Sequence, residues 1–224
     1  MVITIDGPAG TGKSTVALAL AERLGFDFLD TGAMYRALGL EALRRNANLE
    51  EPRELTYIAR HVRIDFDWTK HPPGVRLNGD SVGHLLRGGD ATRAASYVAV
   101  VPAIREMLVA QQQQIGQERD NLVTEGRDQG TIVFPQAEFK FYLDATPQER
   151  ARRRAAQLRA RGEIVDINEI LGQIVSRDTR DKSRAVGPLS IPADAEVIDT
   201  TNISQQEVID RMVARVRQQA SATR

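Results

Sequence analysis

The stretch Gly7-Pro8-Ala9-Gly10-Thr11-Gly12-Lys13-Ser14 fits the phosphate-binding pattern G-x-x-x-x-G-K-[ST], and the apolar run Val2-Ile3-Thr4-Ile5-Asp6 leads straight into it. Glycines in such a loop let the backbone curl so that successive N–H groups face a string of phosphates. Lys13 adds a point charge toward the outer phosphates, and the Ser14 hydroxyl is placed to ligate Mg²⁺. Over 14–24, Val16, Leu20 and Leu24 recur at i, i+4 and i+8, and Gly25 supplies a stop. That spacing predicts a helix whose N-terminus faces the same anions. Strand, loop and helix in this order predict a nucleoside triphosphate site, ATP with Mg²⁺, contacted from Gly7 through Thr15. The competing reading is a chance glycine-rich turn.

The 224 residues, 42% of them hydrophobic, suffice for one α/β domain with a small insertion, burying roughly 70% of its unfolded surface. Formal net charge is zero, which argues against general attraction to nucleic acid or to an anionic membrane surface. Of the basic residues 26 are arginine and 4 lysine. A guanidinium fork suits bidentate phosphate contacts, although genome base composition accounts for part of such an excess. The absence of cysteine excludes disulfides, thiolate metal sites and a cysteine nucleophile. It agrees with a reducing compartment, so a cytoplasmic location is expected. No apolar stretch reaches the ~18 residues a membrane span needs, and the N-terminus enters a strand without a charged region and cleavage site. His61, His71 and His84 lack paired metal-ligand spacing and read as surface residues.

Phe26-Asp27-Phe28-Leu29-Asp30 alternates as a short strand, and Thr31 is positioned to cap a helix running to about residue 45. Residues 62–82 behave differently. Val62-Arg63-Ile64-Asp65-Phe66-Asp67 alternates with period two, Pro72-Pro73-Gly74 breaks the chain, and Val75-Arg76-Leu77 runs into the turn Asn78-Gly79. This predicts a small antiparallel insertion. Pro102 suits the first turn of a helix over 102–118 with Ile104, Met107, Leu108 and Ile115 on its apolar side. Gln111 to Gln114 then form a polar helix surface, or a low-complexity tract with its own role. Residues 122–125, 139–144 and 197–199 read as further strands, and a C-terminal helix starts near Ser204. Strands alternating with helices predict a parallel sheet covered on both faces, with ligands gathered at the strands' carboxyl ends.

Four constellations carry chemistry. Asp30-Thr31-Gly32-Ala33-Met34-Tyr35-Arg36 follows a strand, and Arg36 is either a phosphate ligand or a surface residue on a capped helix with Tyr35 in the core. Gly126-Arg127-Asp128 follows the strand that ends in Glu125. A glycine there permits close backbone approach, Arg127 offers a fork and Asp128 an acceptor; the alternative is a solvated turn. Glu149-Arg150-Ala151-Arg152-Arg153-Arg154, extended by Arg159 and Arg161, places Arg150, Arg154 and Arg161 on one helix face with Arg153 beside them. Such like charge repels itself unless anions or carboxylates answer it, as in a mobile cover closing over ATP; a solvated basic helix partnered by Glu149 and Glu163 is the alternative. Finally, the apolar stripe Ile167, Ile170, Leu171 and Ile174 continues by sevens into Arg177, Asp181 and Arg184. A face that begins as core and ends as charge predicts a polar site at the core's edge.

With these pieces in order, the chain resembles the bacterial cytidylate kinases, P-loop nucleoside monophosphate kinases that make CDP from CMP and ATP. The resemblance runs nearly end to end. It is carried by Ile3-Thr4-Ile5-Asp6-Gly7-Pro8, Asp30 to Arg36, Gly126-Arg127-Asp128-Gln129-Gly130-Thr131-Ile132-Val133-Phe134-Pro135, Arg177-Asp178-Thr179-Arg180-Asp181-Lys182-Ser183-Arg184-Ala185 and Asp199-Thr200-Thr201. It implies an α/β fold, a P-loop kinase parallel sheet flanked by helices, as a single domain over 1–224. A monophosphate-binding region near 36–105 would contain the antiparallel insertion at 62–82, and a helical lid would occupy about 150–184.

The resemblance also implies roles. Ser96, Arg105 and Asp128 would contact cytosine, Arg36 and Arg127 the acceptor phosphate, and Arg177, Asp181 and Arg184 the sugar and phosphates. Thr31 and Tyr35 would join the substrate-binding set. Arg150, Arg153 and Arg154 would belong to the lid, and catalysis would fall to Lys13, Arg127, Arg153 and Arg154. A carboxylate at 128 accepts from the exocyclic amine of cytosine but faces a carbonyl oxygen in uracil, so CMP and dCMP are expected over UMP. The expected partners are these nucleotides and ATP, with no nucleic acid or membrane, for a monomer. Two departures from the family's pattern stand out: Gly88-Gly89 within Leu86-Arg87-Gly88-Gly89-Asp90, read as loosening the insertion's hinge, and Gln129 where an aliphatic residue is usual. Rival readings are a P-loop kinase for UMP, AMP or a metabolite such as shikimate, and a nucleotide-dependent switch. No lysine follows an asparagine, so the N-K-x-D guanine signature of GTPase switches is absent.

Overall fold

An apolar run with no polar face has to be covered on both sides, and the first strand is: Ile3, Thr4 and Ile5 are all fully buried. The computed structural model describes residues 1–86 and 88–222. They divide into two compact units, Met1–Phe26 with Asn121–Arg224, and Asp27–Asp120. The chain begins with β1 (Val2–Asp6) and α1 (Lys13–Leu24). The second unit follows as β2 (Asp27–Asp30), α2 (Thr31–Arg44), α3 (Pro52–Arg60), β3 (Ile64–Asp67), β4 (Gly74–Leu77), β5 (Asp80–Ser81), α4 (Gly89–Val98) and α5 (Pro102–Glu118). The chain then completes the first unit with β6 (Leu122–Glu125), a single π-helical turn (Gln129–Val133), β7 (Phe139–Asp144), α6 (Pro147–Arg159), α7 (Ile167–Lys182), β8 (Glu196–Asp199) and α8 (Gln205–Ala222).

In the first unit the strands lie in the order β6-β1-β7-β8 and every pair is parallel. The register sets Ile5 beside Glu125 and Asp6 beside Tyr142, so the loops leaving β1 and β6 start from the same, carboxyl end of the strands. α1 packs on α8, and Ala151 and Ala155 of α6 pack against Ile170 and Ile174 of α7. Ile167, the first residue of the predicted stripe, is instead exposed at the start of α7. α6 stops at Arg159, and Gly162 turns left-handed beyond it, so Arg161 does not share the helix face predicted for it.

The second unit contains the antiparallel sheet β3-β4-β5, as the alternation predicted. Its helices α2 and α4 meet at Gly39, where an added Cβ would stand 2.8 Å from the Ala95 backbone nitrogen. Two expectations are corrected here. Asp30, not Thr31, caps α2: its carboxylate accepts from Ala33 N at 2.9 Å, while Thr31 is already the first helical residue. Nor are the glutamines of α5 a uniform outer surface. Gln112 is 1% exposed, and Gln111 donates to the Ile64 carbonyl at 2.6 Å, supplying a donor to β3. Gly88 has φ −73° and Gly89 opens α4, conformations available to any residue; Arg87 lies outside the described residues.

A buried carboxylate fixes the π-helical turn. Asp6, wholly inaccessible, accepts from Gln129 N at 2.9 Å and from Gly130 N at 2.7 Å. Gln129 is itself buried and its Oε1 accepts from the Thr124 hydroxyl at 2.9 Å, which accounts for a polar residue at that position. Burial pushes the Asp6 carboxyl up to about 6; the two amide bonds oppose the shift and the Asp128 charge adds to it.

Two tests follow from this packing. Alanine outranks glycine as a helix former by ~1 kcal/mol, yet Gly39→Ala should lower stability by ~1–3 kcal/mol, because backbone must move to admit the methyl. An unchanged or raised melting temperature would contradict that contact. Asp6 binds its proton more tightly folded than unfolded, so its contribution is full below pH ~4 and is lost as pH rises through ~6. Denaturant titrations of wild type and Asp6→Asn should therefore show the wild-type advantage narrowing by up to ~3 kcal/mol over that window. A gap independent of pH would refute the assignment.

Candidate active site

Gly7 leaves β1 with φ 145°, and a Cβ there would fall 2.0 Å from the Leu143 carbonyl oxygen, so the loop is pressed directly onto β7. Its consequence is a tight ring of backbone closed by its own side chains. Lys13 Nζ and the Thr11 hydroxyl both donate to the Pro8 carbonyl, at 2.7 and 3.2 Å. Burial pushes the Lys13 ammonium down to about 7, with Arg127 adding to the shift and Glu125 opposing it. Ser14 Oγ donates to Glu125 Oε1 at 2.6 Å. Glu125 was read only as the end of a strand; the signal that could have singled it out is an acid at the carboxyl end of the strand paired with β1.

The turn after Glu125 brings the predicted charge cluster together. Arg127 donates from Nε to Asp181 Oδ2 at 2.9 Å and from a terminal nitrogen to the Gly126 carbonyl at 3.1 Å. Arg184 closes on the other oxygen of Asp181, so that carboxylate, 2% exposed, is held between two guanidiniums. Burial opposes the Asp181 charge, but Arg127, Arg184 and Arg177 together keep its carboxyl below the usual range. Burial likewise opposes the Arg127 cation, and Asp181 and Glu125 more than offset it, so its pKa is raised. The stripe of α7 thus does end in a buried polar cluster. Asp128 is buried beside it, with its carbonyl accepting from Ile132 and Val133 in the π-helical turn.

The arginines of α6 part company. Arg150 is buried and fully engaged: Nε donates to the Ala145 carbonyl at 2.9 Å, one terminal nitrogen to the Ala9 carbonyl at 3.1 Å, and the other pairs with Asp178 at 2.7 Å. Arg153 bonds Glu149 at 2.8 Å and the Thr200 hydroxyl at 3.0 Å, and also reaches the Thr200 carbonyl. Arg154 is half-buried and bonds Gln157; burial and then the Arg161 charge lower its pKa.

In the second unit, Arg36 bonds the Asp30 carboxylate at 2.6 Å, and Gly32 keeps the space open, since a Cβ there would meet the guanidinium at 2.8 Å. Arg105, 2% exposed, donates to the Ala99 carbonyl at 3.1 Å and lies 5.5 Å from the Tyr35 ring centroid. Thr31 is buried, and the Ser96 hydroxyl donates to the Thr92 carbonyl at 3.3 Å. Among the described residues, no helix is long and apolar enough to cross a membrane.

Comparison with known proteins agrees with this geometry. The family model described as cytidylate kinase matches residues 3–218. A cytidylate kinase of Caldanaerobacter subterraneus subsp. tengcongensis is 44% identical over 96% of this chain and 94% of its own length. One of Shewanella halifaxensis is 42% identical over 97% and 95%. Among solved structures, a shikimate kinase of Bacteroides thetaiotaomicron superposes with a TM-score of 0.51 over 99% of this chain and 98% of its own, at 14% identity, a likeness of fold alone. A phosphate loop closed on a buried arginine–carboxylate cluster, with matches of this identity and length, places the chain in the cytidylate kinase family.

Proposed function

We propose that the chain transfers the γ-phosphoryl group of ATP to CMP, and to dCMP, giving CDP or dCDP and ADP. The observation that carries the reading is the pairing, within one unit, of the Lys13 loop with a second buried cluster of phosphate size, Arg127, Asp181 and Arg184. A protein that only bound or sensed a triphosphate would have little use for the second cluster, so the switch reading is not favoured. Phosphoryl transfer asks a protein chiefly to align two nucleotides and to neutralise charge. Lys13 would meet the outer phosphates of the donor. Arg127 would meet the acceptor phosphate; Arg177, Asp181 and Arg184 would take sugar and phosphate, and Arg153 and Arg154 would add charge at the transferring group. Arg153 is tied to Thr200 and Glu149, which aims it at the loop's rim. For the second unit the family resemblance implies acceptor contacts at Thr31, Tyr35, Arg36, Ser96 and Arg105, and no dedicated general base is required.

The Ser14 hydroxyl and the Glu125 carboxylate, 2.6 Å apart, are hard oxygens of the kind Mg²⁺ takes. Mg²⁺ when bound would neutralise phosphate charge, and two protein oxygens suit an ion that keeps most of its shell from phosphate and water. Asp128 would accept from the cytosine amine but face the uracil carbonyl acceptor to acceptor, which would favour CMP over UMP. We read the protein as a cytoplasmic monomer.

The test is ADP release with CMP, dCMP, UMP, AMP and shikimate offered singly. Turnover with CMP and dCMP is expected; release confined to another acceptor, or none, would sink the proposal. Lys13→Ala should reduce turnover to background while leaving the circular dichroism spectrum native. Asp128→Asn, which can turn a donor toward the base, should cut a CMP-over-UMP preference of ~10⁴ by at least ~100-fold in kcat/KM. An unchanged ratio would remove Asp128 from the specificity site.

A further inference from the structure

The phosphate loop works only if its amides face the anion, and nothing inside the loop obliges each peptide to turn that way. The resemblance assigns Arg150 to a lid. Its geometry is different: it is 3% exposed, and each of its three guanidinium nitrogens is already bonded within the protein, so it presents almost no surface to a nucleotide. Its stem lies against the loop, since a Cβ on Gly10 would stand 3.1 Å from the Arg150 Cβ. One of its bonds ends on the Ala9 carbonyl. Two residues on, the Thr11 carbonyl accepts from the Thr200 hydroxyl at 3.3 Å, a proton that Thr200 shares with the Asp144 carbonyl at 3.0 Å, and Arg153 approaches it at 3.5 Å. The preceding Pro8 carbonyl is held by different donors, Lys13 and Thr11.

A trans peptide is planar, and its C=O and the following N–H point in opposite directions. A guanidinium on the Ala9 carbonyl therefore aims the Gly10 N–H away from α6, and a hydroxyl on the Thr11 carbonyl does the same for Gly12. Neither of these amides donates to a protein acceptor among the described residues. Both glycines have left-handed φ, 86° and 93°, so the loop has conformational freedom that the outside contacts remove. We infer that Arg150 and Thr200, both outside the loop, are positioning residues for the triphosphate: by holding the Ala9 and Thr11 carbonyls they preset the amides of Gly10 and Gly12 toward the phosphates. Asp178 belongs to the same device, because it fixes the end of Arg150 from α7. The inference rests on the ATP site proposed above and deepens it.

Calorimetric binding of inorganic tripolyphosphate tests it without any acceptor chemistry, with CMP binding measured beside it. Arg150→Lys keeps the charge but loses the fork. It should weaken tripolyphosphate and ATP by about 10-fold, a preorganised charge-assisted contact, while CMP affinity stays within about twofold. Thr200→Val is nearly isosteric and should weaken tripolyphosphate by about 3-fold or more, and Thr200→Ser should restore it. If Arg150→Lys does not fold, the Thr200 pair carries the test alone. Unchanged tripolyphosphate affinity in the folded variants would overturn the inference. So would a parallel loss for tripolyphosphate and CMP that follows thermal stability, the mark of a merely structural role. Wild type that binds tripolyphosphate yet phosphorylates no CMP would remove the acceptor assignment and leave this one standing; wild type that binds no tripolyphosphate would end both.

Discussion

Charge taken out of water must be answered by charge or by hydrogen bonds, and the first unit is built around that requirement. Lys13, Arg127, Arg150 and Arg184 are all withdrawn from solvent, and each is met by a particular group: the Pro8 carbonyl, Asp181, Asp178, and Asp181 again. Burial, with the Arg127 charge adding to it, drives Lys13 down to about 7, whereas Asp181 and Glu125 outweigh burial at Arg127, which holds its proton more firmly. A site so arranged favours a polyanion over any neutral ligand. It also cannot be dismantled piecemeal, because removing one carboxylate leaves a buried cation uncompensated.

The backbone is arranged to serve these pairings. β1 delivers Asp6 beneath the π-helical turn and then the loop itself; β6 delivers Glu125 and Arg127; α7 delivers Asp178 and Asp181 one turn apart. Lys140, buried on β7, reaches the Pro135 carbonyl and both oxygens of Asp194, and so pins the segment that follows Arg184. The fold thus fixes the cluster from strands and helices drawn from both ends of the chain, with β1 at the start and β6, β7 and α7 more than a hundred residues later.

What the sequence disclosed is what local chemistry dictates. The phosphate loop, the strands 122–125 and 139–144, the helix over 102–118 and the antiparallel insertion follow from glycine spacing, apolar periodicity and turn residues. The charged end of the α7 stripe was legible for the same reason. What escaped depends on partners distant in the chain. Ser14 and Glu125 are 111 positions apart, and Arg150 meets Ala9 across 141. No pattern in a run of arginines tells the one that is a buried strut from its neighbours. Gln112 was misplaced because a glutamine among glutamines reads as solvated surface, whereas the Ile104 side of α5 rotates it inward. The α2 cap was misassigned by one residue, since both Asp30 and Thr31 can cap and only the start of the helix decides between them.

At Gly39 the axes of α2 and α4 are drawn together until the backbone of one touches the other. Tyr35 and Arg36 ride on the first of these helices and Ser96 on the second. Helices in such contact cannot slide or tilt independently without a backbone collision, so they behave as a single lever. The points from which these three side chains spring therefore keep one mutual spacing through any motion of that pair, and the acceptor contacts proposed for them would be gauged against one rigid ruler.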